Sequence, residues 1–289
     1  MNMRFAQTLV VAGLTLVPMS AFSAPAAQLI GAGLYAYISD NDSSANATFL
    51  VGEKAILLVD SGLNEVEGAK LLKSIRAVSP LPIKYIINTH YHPDHQGGNA
   101  TVAPDAIVIT TDFTRDRTLD LAKNPAMEKF HFRPAELTFQ KQITLHLEPY
   151  VAEIFFSGKA HTSGDALVYF PQQRSIAMGD LFLNRSCPAM DDGSVASWIH
   201  ILDHVLSLPL EHAVPGHFEL GTKGDLRRFH DYLADVYRQV VELKKQAEPI
   251  EQIQRNLHLE KYADFRQFPK YEATFSDNAA VIYKQLQAQ

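Results

Sequence analysis

Residues 83–95 read Ile-Lys-Tyr-Ile-Ile-Asn-Thr-His-Tyr-His-Pro-Asp-His, an apolar run that ends in three histidines and an aspartate. Ile83 to Ile87 has the length and β-branched content of a buried strand. In an extended stretch residues two apart face the same way, so His90 and His92 address one point. Pro93 cannot continue a strand ladder, and the turn it helps to set swings Asp94 and His95 toward a neighbouring position. Imidazole and carboxylate are ligands that zinc accepts.

Outward from this stretch the chain alternates between the two periodicities. Gln28 to Ile38, Ala47 to Val51 and Ala55 to Val59 read as strands, with Gly52-Glu53-Lys54 as a turn. Asn64 to Val78 has helical spacing and is stopped by Pro80 and Pro82 before the strand at Ile83. Ala106 to Ile109 predicts a strand and Asp112 to Ala122 a helix. Strands follow over Glu136 to Leu147, Val151 to Phe156, Ala166 to Tyr169 and Ser175 to Met178. Asp225 to Gln246 is the longest amphipathic helix, and two short helical patterns close the chain. Two sheets with helices outside them fit this order, an α/β class rather than a bundle or a pure β sandwich.

Three further candidates sit where apolar runs end beside glycine: His161 in Gly158-Lys159-Ala160-His161, Asp180 in Met178-Gly179-Asp180, and His217 in Pro215-Gly216-His217. Glycine is expected where backbone bends sharply around a site. The remaining histidines, at 131, 146, 200, 204, 212, 230 and 258, read as surface or satisfied residues. Five histidines and two aspartates on four separated segments, each at a strand end, are a metal-binding constellation.

Composition narrows the partners. The formal charge of -6 is spread along 289 residues with no basic block to track a phosphate backbone, so nucleic acid is not expected and a small-molecule substrate is. Arg4, the apolar Leu9 to Val17 and the small residues of Ala21-Phe22-Ser23 predict a signal peptide over 1–23, cleaved after Ser23 or Ala24. Gln7, Thr8, Gly13 and Pro18 interrupt that run, so no stable membrane insertion is expected after cleavage, and the mature chain would be periplasmic or secreted. Cys187 is the only cysteine, which rules out an internal disulfide and reads as a bystander.

The spacing His90-x-His92-x-Asp94-His95, then Gly97-Gly98-Asn99, then His161, Asp180 and His217 in that order, resembles the metallo-β-lactamase superfamily over roughly Gln28 to Leu220. The resemblance implies an αββα sandwich of two mixed β-sheets with outer helices, and two zinc ions per chain. His90, His92 and His161 would hold one ion, Asp94, His95 and His217 the second, with Asp180 bridging and Asp94 also orienting the attacking hydroxide as the catalytic residue. Asp60, closing Leu57-Leu58-Val59-Asp60, matches a motif that supports the metal loops.

Histidine at 92 argues against the diiron oxygen-reducing branch. Aspartate rather than cysteine at 180 is similar to glyoxalase II, lactonases and a group of exported hydrolases. The implied activity is cleavage of an amide, ester or thioester, with a β-lactam among the candidates. A thioesterase or lactonase acting on a metabolite is the alternative, ahead of a nuclease or a non-catalytic metal-binding protein. Asn184 and Arg185 stand where the family often places substrate-facing groups, and Trp198 reads as packing a helix. The expected division is 1–23 signal peptide, 24–224 hydrolase domain, and 225–289 a helical C-terminal extension packed on the same domain.

Overall fold

The structure, a computed structural model, describes residues 26–287; the expected signal peptide lies outside them. Four strands open the chain: β1 (Gln28–Gly31), β2 (Leu34–Tyr37), β3 (Ala47–Val51) and β4 (Ile56–Val59). Then come α1 (Glu65–Val78), β5 (Ile83–Ile87), the one-turn helices α2 (Pro93–Gln96) and α3 (Asn99–Val102), β6 (Ile107–Thr111), α4 (Asp112–Lys123) and β7 (Leu137–Phe139). The seven strands form one sheet in chain order, antiparallel from β1 to β4 and parallel from β4 to β7.

A second sheet follows from β8 (Gln142–Leu147), β9 (Tyr150–Phe155), β10 (Leu167–Phe170), β11 (Ser175–Ala177), β12 (His212–Val214) and β13 (Gly221–Thr222), with α5 (Val195–Ser207) between β11 and β12. It too is mixed, since only β11 and β12 run parallel. The helices α6 (Lys223–Lys245), α7 (Ile250–Arg255) and α8 (Phe275–Gln285) end the chain.

Period-2 burial makes the layers. On β4, Leu57 and Val59 enter the core between the sheets with Leu50, Ile87, Ile154, Val168 and Val214, while Ile56 and Leu58 face Leu71 and Ile75 of α1. On the far side Leu167, Tyr169 and Ile176 meet Trp198, Leu202, Phe229, Leu233 and Ile282 from α5, α6 and α8. The result is the expected αββα sandwich.

Most elements fall within a residue or two of their expected limits, and Asn64 turns out to cap α1 by accepting from the Val66 and Glu67 amides. Helix α5 and strands β12 and β13 lie where no element was expected, and two further features differ. The run Glu136 to Leu147 divides at Gln140-Lys141 into β7 and β8, which edge different sheets. The boundary expected after residue 224 falls in the first turn of α6, whose capping box uses Thr222 and Asp225. Among the described residues no helix is long and apolar enough to cross a membrane.

Candidate metal centre

Strand direction brings the predicted residues to one edge. The parallel pair β4 and β5 ends there with Asp60 and residues 88–95. In the other sheet β9 ends, β10 begins, and β11 and β12 end at one side, which gathers residues 156–166, 178–184 and 215–220. All seven candidate ligands meet at this edge, in two groups: His90, His92, His161 and Asp180, and Asp94, His95 and His217.

In the first group three ring nitrogens converge. His92 Nδ1 lies 3.0 Å from His90 Nε2 and 3.1 Å from His161 Nε2. Ligand atoms around a tetrahedral zinc are about 3.3 Å apart, given Zn–N bonds of about 2.0–2.1 Å. In the second group His217 Nε2 is 3.0 Å and His95 Nε2 3.5 Å from Asp94 Oδ2. Asp180 divides its carboxylate between them: Oδ2 is 3.6 Å from His161 Nε2 and 4.0 Å from His90 Nε2, and Oδ1 is 3.3 Å from His95 Nε2 and 3.6 Å from His217 Nε2.

Buried polar atoms normally find partners. Here His95 Nε2 and Asp180 Oδ1 are buried and make no hydrogen bond, although they lie within ion-pair distance of each other. Both aim into the shared space rather than along a common bond, so the donor set fits a cation.

Outer contacts decide which nitrogen each ring presents. Asp60 Oδ2 takes the Nδ1 proton of His95 at 2.8 Å, and its carboxylate also accepts from the amide and hydroxyl of Thr89, both at 2.8 Å. The Ala189 carbonyl accepts from His161 Nδ1 at 3.1 Å. These bonds place a proton on Nδ1 and turn Nε2 of each ring toward the cluster. Trp198 is fully buried, donates its indole N–H to the Leu181 carbonyl and sets its ring 5.8 Å from that of His161. It braces the His161 and Asp180 segments together, in keeping with its packing role. Asn46 donates to the Pro215 and Phe218 carbonyls and fixes the His217 turn. Gly216 is required because a Cβ there would stand 1.9 Å from Asp180 Oδ1.

Charge splits the two groups. Burial, then the neighbouring rings of His95, His92 and His161, holds His90 well below the usual imidazole range, and burial with His161 lowers His92 to about 4. For His95 burial also opposes charging, but Asp180, Asp94 and Asp60 outweigh it and raise the ring well above that range. Burial raises the Asp94 carboxyl, yet His95 and His217 more than offset this and bring it to about 2.

Asn184 and Arg185 do not join the cluster through any hydrogen bond or ion pair. The Asn184 amide is buried and donates to the Glu219 and Leu220 carbonyls, and Arg185 is exposed with Nη2 4.0 Å from Asp225. Cys187 is buried, and desolvation pushes its thiol up to about 12, which suits an inert residue. The other seven histidines are exposed or half-buried away from both groups. Sequence reasoning passed over Asp192, whose Oδ2 lies 3.8 Å from His92 Nε2. Its loop position carries no local signal.

Known proteins resemble this chain to differing extents. A type 2 metallo-beta-lactamase from Bacillus cereus is 28% identical over 204 residues, covering 68% of this chain and 76% of that one. The alpha subunit of a 2,4-dinitroanisole O-demethylase from Nocardioides sp. is 26% identical over 171 residues, which is 58% of this chain and 50% of that one. Among solved structures, an inverting sec-alkylsulfatase, Pisa1 from Pseudomonas sp., superposes with a TM-score of 0.73 at 14% identity, over 90% of this chain and 50% of that one; this likeness is one of fold. The present chain thus spans only half the length of two of these three proteins. Its residues 40–217 match the family model described as metallo-beta-lactamase superfamily, and the chain belongs to that superfamily.

Proposed function

We propose that the protein is a dinuclear zinc hydrolase that cleaves an amide, ester or thioester bond, with β-lactams the first class to test. The observation that carries this reading is the divided carboxylate of Asp180, one oxygen toward each group of donors. His90, His92 and His161 would hold one ion, Asp94, His95 and His217 the other, and Asp180 both. Two such ions supply Lewis acidity, making water a nucleophile near neutral pH and polarising a carbonyl.

The side chains provide the rest. Asp94 is the more exposed of the two aspartates, which supports it as the carboxylate that would hold and orient an attacking water as well as a metal. Asp180 would offset repulsion between two such ions in a buried setting where that term is large. Asp60 and the Ala189 carbonyl hold the His95 and His161 rings in the ligating tautomer.

The Bacillus cereus relative supports an acyl-type substrate. Export of the mature chain, which residues 1–23 lead us to expect, favours an extracytoplasmic one. The test is a screen of zinc-loaded and metal-stripped protein against a chromogenic cephalosporin, a thioester, a lactone, an aryl methyl ether and a phosphodiester. Zinc-dependent turnover of one of the first three supports the proposal. A fully loaded protein inert toward all three overturns it.

A further inference from the structure

The loop between Cys187 and Ser194 lies against the rings of the three-histidine group. The Ala189 carbonyl accepts from His161 Nδ1 at 3.1 Å, and Asp192 Oδ2 lies 3.8 Å from His92 Nε2. The loop is pinned to the segment that carries His161: Ser194 N donates to the Ala160 carbonyl at 3.0 Å, and Ser163 Oγ to the Asp192 carbonyl at 3.3 Å. Gly193 permits this approach, since a Cβ there would fall 1.6 Å from the Ala160 oxygen.

What holds the loop is the last helix of the chain. Asn278 of α8 is fully buried and donates to the Pro188 carbonyl at 2.7 Å, while its own oxygen accepts from Tyr232 Oη at 2.6 Å. Seven residues on, and so on the same face of the helix, Gln285 accepts from Val195 N at 3.1 Å and donates to the Gly193 carbonyl at 3.4 Å. One face of α8 therefore grips both ends of the loop, and the residues between the two grips are those that meet His161 and His92.

We propose that α8 is a positioning element of the metal centre: by fixing the 188–194 loop at both ends, Asn278 and Gln285 set the tautomer and ring orientation of His161. This rests on reading the cluster as a metal site. Removing the grip lets the Ala189 carbonyl leave His161, whose proton then distributes between its two ring nitrogens. Outer partners of this kind are worth about 10–100-fold in metal affinity.

The experiment uses the full chain as wild type, Gln285→Ala, Gln285→Glu and Asn278→Ala. Nitrogen NMR of the imidazoles in the metal-free protein reads the tautomers without any ion. Cobalt(II) titration, followed by ligand-field absorption, reads the two ions separately. Wild type should show His161 protonated at Nδ1. Gln285→Ala should show mixed tautomers and bind the three-histidine ion about tenfold more weakly, with the second ion within about twofold. Gln285→Glu keeps an acceptor for Val195 N and should recover most of that loss.

An unchanged His161 tautomer and unchanged cobalt affinity in Gln285→Ala would overturn the proposal, as would equal weakening of both ions, which is general loosening. If Asn278→Ala does not fold, Gln285→Ala decides alone. A wild type with the expected tautomer that binds no cobalt defeats the metal reading instead, and the NMR arm separates the two failures.

Discussion

Replacing Asp60 with asparagine changes one atom and should cost the second metal ion. Asp60 takes three donors: the Thr89 amide on Oδ1, and the Thr89 hydroxyl and His95 Nδ1 on Oδ2, each at 2.8 Å. A carboxylate can accept all three; a carboxamide has one acceptor and one donor end. If the amide oxygen keeps the Thr89 N–H, the NH2 faces His95 Nδ1, which must then be an acceptor. The ring proton moves to Nε2, the nitrogen that faces Asp94 and Asp180, and a protonated nitrogen cannot ligate. If the amide is flipped, its NH2 meets the Thr89 N–H, a buried donor facing a donor.

The first arrangement avoids that clash and is the one expected, and it opposes binding at the second site by about 10–100-fold, or roughly 1.4–2.7 kcal/mol. Asparagine tolerates the left-handed backbone that Asp60 adopts, with φ of 58°, so the fold should persist. Calorimetric titration of zinc into metal-free wild type and Asp60→Asn measures both steps. The first should be unchanged and the second weakened. A second-ion affinity within about twofold of wild type would refute the tautomer argument.

Three other outcomes follow from the same geometry. Gly216→Ala drives a Cβ into Asp180 Oδ1, so it should cost about 1–3 kcal/mol in chemical denaturation and reduce bound zinc from two ions toward one; full stoichiometry would contradict the close approach. Zinc affinity at the two sites should respond differently to pH. His90 and His92 are held below the usual imidazole range and are already neutral at pH 7, whereas His95 and His217 are raised and must release protons on binding. The second-ion affinity should therefore climb more steeply as pH rises than the first; parallel slopes would count against it. Trp198→Ala removes the fully buried indole between His161 and Leu181 and should destabilise by about 3–5 kcal/mol in urea unfolding, against under 1 for a surface change.

Local chemistry made the strands around Ile83–Ile87, the helices α1 and α6 and the seven clustered side chains legible, because strand periodicity and ligand type are written in adjacent residues. Partition between sheets was not: Glu136 to Leu147 alternates throughout, yet tertiary packing sends β7 and β8 to opposite sheets. Helix α5 does carry a local signal, the helical spacing of Val195, Trp198, Ile201, Leu202 and Val205. Asn184, expected to face substrate, donates its side-chain amide to the backbone of Glu219 and Leu220, a contact between segments far apart in the chain. The supports from Ala189, Asn278 and Gln285 join residues far apart in the chain through backbone atoms, which no sequence pattern marks.

In the proposed centre the seven residues form two cation sites joined by Asp180. Zinc titration of metal-free wild type beside Asp180→Asn tests it directly, because the substitution keeps the volume and removes the charge shared by both groups. Wild type should take up two ions per chain, and the variant should keep the ion of His90, His92 and His161 while binding the second at least about tenfold more weakly. Equal affinity for the second ion in the two proteins would mean that Asp180 joins nothing, and fewer than one ion in folded wild type would contradict the metal centre altogether.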